Sequence, residues 1–430
     1  MRRLRPKVLL IAYYFPPIKS IGALRSYQLA RQWTQQAAKL HILTTTNRHR
    51  LQQDHLPLNG FTITEIPTFD YRTLLSLRPR SSNHLSEETK AHPLARLWLR
   101  LKDSFPTNIL LDEGGPLYIL RAYLKARRLL RQGDFDLLYS SFRPYADHLV
   151  AYLLKRRYPQ LYWVADFRDL QVDRNRQNTY WPRLQHWFNR RILRRADRVI
   201  TVSEGLAKSL RNYHDRVEVL RNGVELREPK KGRSECFSIV YTGSIYAGFQ
   251  TPELLLEVLA ELITEGAIAE EQLQIIYAGK DSHSWRRWIE AAGLGDCFVD
   301  RGLIARAEAL QLQEEAQLNV LLSWSTAQQG GILTGKLYEY LGAQQPILLI
   351  IKGSQDQEFE ALFEELQAGL VAYHHPDSKA AVRQYLLKVY REWQRDSTPR
   401  AALNTARLKQ LSWSARAVTI LDFLEQDHPC

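Results

Sequence analysis

Cysteine is scarce in this 430-residue chain: Cys236, Cys297 and Cys430 stand alone, with no C-x-x-C pair. That speaks against a disulfide framework and against a zinc site, both of which need clustered ligands. Long apolar runs are also missing, and no stretch approaches the roughly 18 to 20 residues that cross a bilayer. The opening "MRRLRPKVLLIAYYFPP" imitates a secretion signal, but its apolar run is short, ends in two prolines and lacks a small-residue cleavage site. It reads as a first β-strand, and a cytosolic chain is expected. Neither strand-one loop carries the G-x-G-x-x-G of dinucleotide enzymes, and G-x-x-x-x-G-K-[ST] does not occur. Nicotinamide dehydrogenases and P-loop kinases are thereby removed. No helix-turn-helix, RNP-type, KH or zinc-finger signature is found, so no nucleic-acid partner is expected. Repeats with periods of 20 to 50 residues are absent as well.

What is present begins with charge. Apolar residues make up 45% and charged residues 24%, which is globular composition, and the length predicts two domains. Lysine and arginine outnumber acidic residues 59 to 46, a net charge of +13. The excess is uneven: residues 1–232 hold 42 basic and 20 acidic side chains, net +22, and the remainder hold 17 and 26, net −9. One half therefore faces something anionic, with a membrane surface as the candidate partner.

Apolar runs alternate with helical periodicity along most of the chain. "KVLLIAYYF", "KLHILTT", "FDLLYSS", "LYWVADF", "RVITVS" and "RVEVLRNG" read as strands, separated by amphipathic segments such as "ALRSYQLARQWTQQ" and "YADHLVAYLLKRR". The pattern restarts at "SIVYTGSIY" and runs through "LQIIYAG", "CFVDRG", "LNVLLSW" and "PILLII". This predicts an α/β protein with two Rossmann-like doubly wound parallel sheets, over 1–226 and 233–405, joined near "ELREPKKGRS". Ligands of such sheets sit beyond the carboxyl ends of the strands, which would line a cleft between the domains.

One short helix, "TGKLYEYLGAQQP", places Lys336 and Glu339 a turn apart directly after a glycine-rich loop. Taken with "IAYYFPPIKSIGALRSYQLARQW", "WVADFRD", "ADRVITVSEGLAKSL", "RNGVE" and "YTGSIYAG", in that order along the chain, it resembles the retaining glycosyltransferases of the GT-B fold, family four. The resemblance implies a C-terminal domain that holds a nucleoside-diphosphate sugar, and a last helix, within 411–430, that returns to the N-terminal domain. It implies transfer to a hydroxyl with retention, without a cofactor or an obligatory metal. It places the family's ribose-binding glutamate at Glu339. The physical reading agrees: a leaving diphosphate gains negative charge, and a helix amino end with a fixed lysine suits that charge. Gly331 would let backbone approach the donor, Lys336 would supply the point charge, and Leu337 lies beside them. The alternative is an ordinary (i, i+3) surface ion pair.

Two positions depart from the family. Gly331 stands where many members have a first glutamate, and Ser244, after Gly243, stands where many have an arginine for the diphosphate. In the N-terminal half, Gly22 and Arg25 are further donor-side candidates. Asp166 or Asp169 of "ADFRD" is a candidate for orienting the acceptor hydroxyl or taking its proton, and Arg168 for holding either carboxylate or a phosphate; the alternative is a structural Asp–Arg pair capping the next helix. Arg143 is a candidate acceptor contact. His148 reads as a packed histidine, and Ser203 with Glu204 as an N-cap pair. The segment "AHPLARLWLRLKDSF" mixes basic and apolar residues and reads equally as a membrane-surface helix or a packed one. The expected activity is sugar transfer to a lipid-linked or polysaccharide acceptor for a cell-surface glycan, by an enzyme peripheral to the inner face of a membrane. A nucleotide-sugar epimerase and a noncatalytic binding protein of the same fold remain as alternatives.

Overall fold

The computed structural model describes residues 6–18, 20–36, 39–46, 56–68, 97, 101, 104–110, 114–170, 180–227, 235–326, 330, 333–396 and 402–427. Gly331, and all of "AHPLARLWLRLKDSF" except Leu97, Leu101, Ser104 and Phe105, lie outside them. The chain divides into two compact units, Met1–Asn222 with Trp413–Cys430, and Gly223–Ser412.

The first unit is a seven-stranded sheet in the order β3-β2-β1-β4-β5-β6-β7. Its strands are β1 (Lys7–Ile11), β2 (Lys39–Thr45), β3 (Thr62–Ile66), β4 (Leu137–Phe142), β5 (Tyr162–Phe167), β6 (Arg198–Thr201) and β7 (Val217–Val219). Every pairing is parallel. Such a sheet is covered on both faces, which is why β4 and β5 are buried at every position without alternation, and β1 at all but its first. One face carries α1 (Ile21–Gln35); the other carries α2 (Gly115–Gln132), α3 (Tyr145–Arg157), α4 (Pro182–Leu193) and α5 (Glu204–Leu210).

The second unit is a six-stranded parallel sheet, β10-β9-β8-β11-β12-β13. It contains β8 (Phe237–Thr242), β9 (Leu273–Ala278), β10 (Phe298–Asp300), β11 (Leu318–Ser325), β12 (Ile347–Gly353) and β13 (Gly369–Tyr373). Its helices are α6 (Glu253–Thr264), α7 (Ser282–Ala291), α8 (Arg306–Glu315), α9 (Gly335–Ala343), α10 (Gln357–Leu366), α11 (Lys379–Asp396) and α12 (Thr405–Gln410).

The last helix, α13 (Trp413–Asp427), belongs to the first unit. Trp413, Ala417, Ile420 and Phe423 enter the core beneath α1, and the indole Nε1 of buried Trp33 donates to the Ala417 carbonyl at 3.1 Å. Arg198 caps this docking, its guanidinium 3.0 Å from the Asp427 carboxylate and 4.6 Å from the Phe423 ring centroid. That ion pair holds the Asp427 carboxyl down to about 2.

Strand order reverses between β1 and β4 in one sheet and between β8 and β11 in the other. These switch points are where a parallel sheet opens a crevice for a ligand. The loop after β1 leads to Gly22 in the first turn of α1, Arg143 follows β4, Gly243 follows β8, and α9 lies in the β11–β12 crossover. Among the described residues, no helix is long and apolar enough to cross a membrane.

Candidate active site

In the second unit the site is built on α9. Its apolar side packs it to the sheet: Leu337, Tyr340 and Leu341 are fully buried. Leu337, expected on the donor side, is therefore a core residue whose side chain anchors the helix. Thr334, at the N-cap, makes no side-chain cap, which leaves the amide donors of the first turn to the loop side.

Lys336 and Glu339 do not pair with each other. The Lys336 ammonium turns to the β8 loop, donating to the Tyr241 hydroxyl at 2.5 Å and the Ser244 carbonyl at 2.6 Å. Its Nζ lies 4.3 Å from the Tyr241 ring centroid. Although the lysine as a whole is only partly covered, its charged end is enclosed. Burial pushes its pKa from 10.5 down to about 7, against the weaker opposing pull of Glu339 and Asp281. Among the described residues no carboxylate reaches it as a salt-bridge partner.

Glu339 turns toward α8. Its carboxylate accepts from Arg306 at 3.0 Å and from Gln313 Nε2 at 3.4 Å, and Gln313 also donates to Thr242 Oγ1 at 2.9 Å. Arg306 escaped the sequence reading. Its signal was a cation in the first position of a helix, where the dipole disfavours it. Tyr241 and Gln313 left no such trace, because nothing in a strand tyrosine or a helix glutamine marks a ligand site.

Gly243 explains how the lysine fits. Its φ is +99°, and a Cβ there would lie 2.7 Å from Lys336 Cε. Ser244 contributes its carbonyl to this cage. Gly243→Ala should therefore cost about 1 to 3 kcal/mol in backbone strain and displace the ammonium, lowering anion affinity. Ser244→Ala should change neither, which urea unfolding and a binding titration of the two variants will check.

In the first unit the structure reassigns the candidates. Arg25 is 1% exposed and forms a two-pronged pair with Asp166, at 2.9 Å from Nε and 3.1 Å from Nη2. The same guanidinium donates to the Leu220 carbonyl and Asn222 Oδ1, each at 3.0 Å. The Asp166 carboxylate holds its pKa above the ordinary arginine value despite burial. Arg25 is consequently a strut joining α1, β5 and the segment after β7, with no free edge for a diphosphate. Asp166 is spent on it.

Arg168 does not pair with either aspartate. It donates to the Phe142 carbonyl at 2.8 Å, and its guanidinium fills the space beside Gly22, where a Cβ would fall 1.3 Å from Nη1. Gly22 is thus glycine to admit Arg168. Asp169, half-exposed, lies 3.4 Å from equally exposed Arg143. Arg143 and Asp169, at the carboxyl ends of β4 and β5, are the ones left open to a substrate, with the Arg168 guanidinium enclosed behind them. His148 is packed: its Nδ1 meets Ser140 Oγ at 2.7 Å, and burial lowers its pKa to about 3. Ser203 caps α5, accepting from the Leu206 amide. Among the described residues no group of three or more His, Cys, Asp or Glu is placed to hold a metal ion.

The Glycosyltransferase Family 4 model matches residues 23–228. No curated protein matches the chain by sequence. Among solved structures, the fold is similar to sucrose-phosphate synthase from Thermosynechococcus elongatus, at 15% identity over 98% of this chain and 99% of that one, with a TM-score of 0.59. It is similar to the apo form of the lipopolysaccharide outer core galactosyltransferase WaaB, at 10% identity over 98% and 100%, TM-score 0.55. A TarM mutant from S. aureus, in complex with fondaparinux, alpha-GlcNAc-glycerol and UDP, matches at 10% identity over 97% and 99%, TM-score 0.56. At these identities the likeness is one of fold.

Proposed function

Because residues 23–228 match the Glycosyltransferase Family 4 model and the chain has the GT-B fold, we propose that the protein moves a sugar from a nucleoside-diphosphate donor to a hydroxyl acceptor with retention. The observation that carries this reading is the Lys336 cage. An ammonium held at the amino end of α9, enclosed and, among the described residues, without a carboxylate partner, is prepared for an anion that arrives with the substrate. As the glycosidic bond breaks, charge grows on the diphosphate, and fixed N–H donors and a cation stabilise it without an obligatory metal. Glu339, held by Arg306 and Gln313, accepts from the ribose hydroxyls in this reading. On the acceptor side Asp169 and Arg143 contact substrate, Arg168 acts through the Phe142 carbonyl as a positioning residue, and Asp166 does so through Arg25.

The net charge of +22 on residues 1–232 favours an acceptor presented at an anionic surface, hence a lipid-linked or membrane-borne glycan and a peripheral enzyme. A thermal-shift screen with UDP, GDP, ADP and their sugars tests the donor side, since occupancy at 100 Kd adds about 2.7 kcal/mol. No shift with any of them would overturn the reading. Sugar isomerisation without an acceptor would point to an epimerase instead.

Glu339→Ala should weaken nucleotide binding by about 1.5 to 3 kcal/mol, the loss of a charge-assisted hydrogen bond. Arg306 and Glu339 are 28% and 27% exposed, so the freed arginine can be hydrated and the fold should persist. Calorimetric titration beside a melting curve checks both halves, and unchanged affinity would remove Glu339 from the donor site.

A further inference from the structure

Helix α4 is inside out. The side turned to the core presents Gln185 and Asn189, which are buried and bonded to each other at 3.0 Å, before Ile192 and Leu193. The outward side presents Trp181 at the N-cap, Leu184 and Trp187, which are 49%, 42% and 58% exposed. A helix that only covered a sheet would arrange these the other way round, with amides in water and indoles in the core. The flanking charge is of one sign: Arg183, Arg190, Arg191, Arg194 and Arg195 are all exposed, and 180–196 contains no acidic residue. The Arg191 guanidinium lies 6.0 Å from the Trp187 ring centroid, at the edge of the apolar stripe.

Helix α2, over the same face of the sheet, has an apolar core side that includes Tyr118 but also leaves leucines outside. Small Ala122 and Ala126 are buried, and Leu117, Leu120 and Leu124 are 41%, 56% and 51% exposed. Among these leucines lie Arg121 and Lys125.

We propose that the outward face of α4 is the membrane-docking surface, with Trp181, Leu184 and Trp187 entering the headgroup–acyl boundary and the arginines meeting anionic headgroups. Two tryptophans and a leucine ringed by arginine are the composition of a helix that lies in an interface rather than crossing it. A second copy of this chain fits poorly, because a two-fold contact would set one arginine cluster against the other. A soluble polyanion would engage the arginines but leave the indoles in water. The inference deepens the membrane-facing reading above and rests on it.

The test is co-sedimentation of the full chain with vesicles of phosphatidylcholine alone or with phosphatidylglycerol, for the natural protein and for Leu184→Glu/Trp187→Glu. Both positions are exposed, so the variant should fold, and an unchanged melting temperature verifies that. The natural protein should bind the anionic vesicles, with a blue shift of tryptophan emission, and the neutral ones at background. The variant should lose about tenfold or more in partitioning, the equivalent of withdrawing two apolar side chains from the lipid. No binding of the natural protein to anionic vesicles would defeat the membrane reading itself. Binding of natural protein and variant alike would leave that reading standing and remove α4 from it. A dimer that the variant abolishes, with vesicle binding intact, would make this face a contact between copies.

Discussion

Asp166→Ala is expected to destabilise the protein by about 3 to 5 kcal/mol, the cost of stranding a buried cation. Arg25 is 1% exposed, and Asp166 takes two of its donors. Without that carboxylate, the guanidinium keeps only neutral neighbours, the Leu220 carbonyl and Asn222 Oδ1 among them, and cannot rotate into water. Arg25→Met/Asp166→Leu should recover much of the loss, because a well-packed apolar pair avoids desolvating either charge. Urea unfolding of the single and double variants decides this. A single substitution costing less than about 1 kcal/mol would mean that water reaches the pair. The variant also bears on catalysis. Asp166→Asn, which keeps the shape, should reduce turnover by disturbing the β5 end that carries Arg168 and Asp169. Nucleotide affinity, which the proposed function assigns to the second unit, should stay near its original value. A large loss of affinity would place Asp166 on the donor side.

The double-wound sheets were legible because local signals and global arrangement agree. "KVLLI" and "LLYSSF" show no alternation of apolar and charged residues, as strands buried on both faces should not, and each is followed by a helix. Lys336 and Glu339 were legible as a pair because α9 sets them one turn apart behind a loop. Their partners were not. The cage around Lys336 comes from Tyr241 and Ser244, some 95 and 92 positions earlier, and Arg25 meets Asp166 across 141. Spacing along a chain carries no trace of contacts that only the strand order creates. The same limit applies to α4. Its sequence shows two candidate apolar stripes, and only packing reveals that Ile192 and Leu193 face the core while Leu184 and Trp187 do not. Arg25 also shows how a charged residue misleads. A buried arginine and a ligand arginine look alike until burial is known.

Lys336→Met should lower turnover by about 10²- to 10³-fold, the range seen when one donor to a developing oxyanion is removed. Methionine fills much of the lysine's volume, so the Tyr241 ring keeps its neighbour and α9, anchored by Leu337 and Leu341, should stay in place. The natural enzyme also has a pH signature that the variant should lack. With no ligand the ammonium is held near pH 7 by burial, well below the ordinary 10.5. A bound diphosphate favours the charged form and raises that pKa, so binding takes up a proton in the window above about 7. Affinity should therefore be greatest below that value and fall as pH rises, by up to tenfold per unit, until the pKa of the complex is passed. Titrating a nucleoside diphosphate from pH 6 to pH 9, in two buffers of different ionisation enthalpy, measures the uptake directly. In Lys336→Met the slope and the buffer dependence should both vanish. A natural enzyme with the same affinity at pH 6 and pH 9 would show that the ammonium is charged throughout, and that its cage is open to water rather than closed.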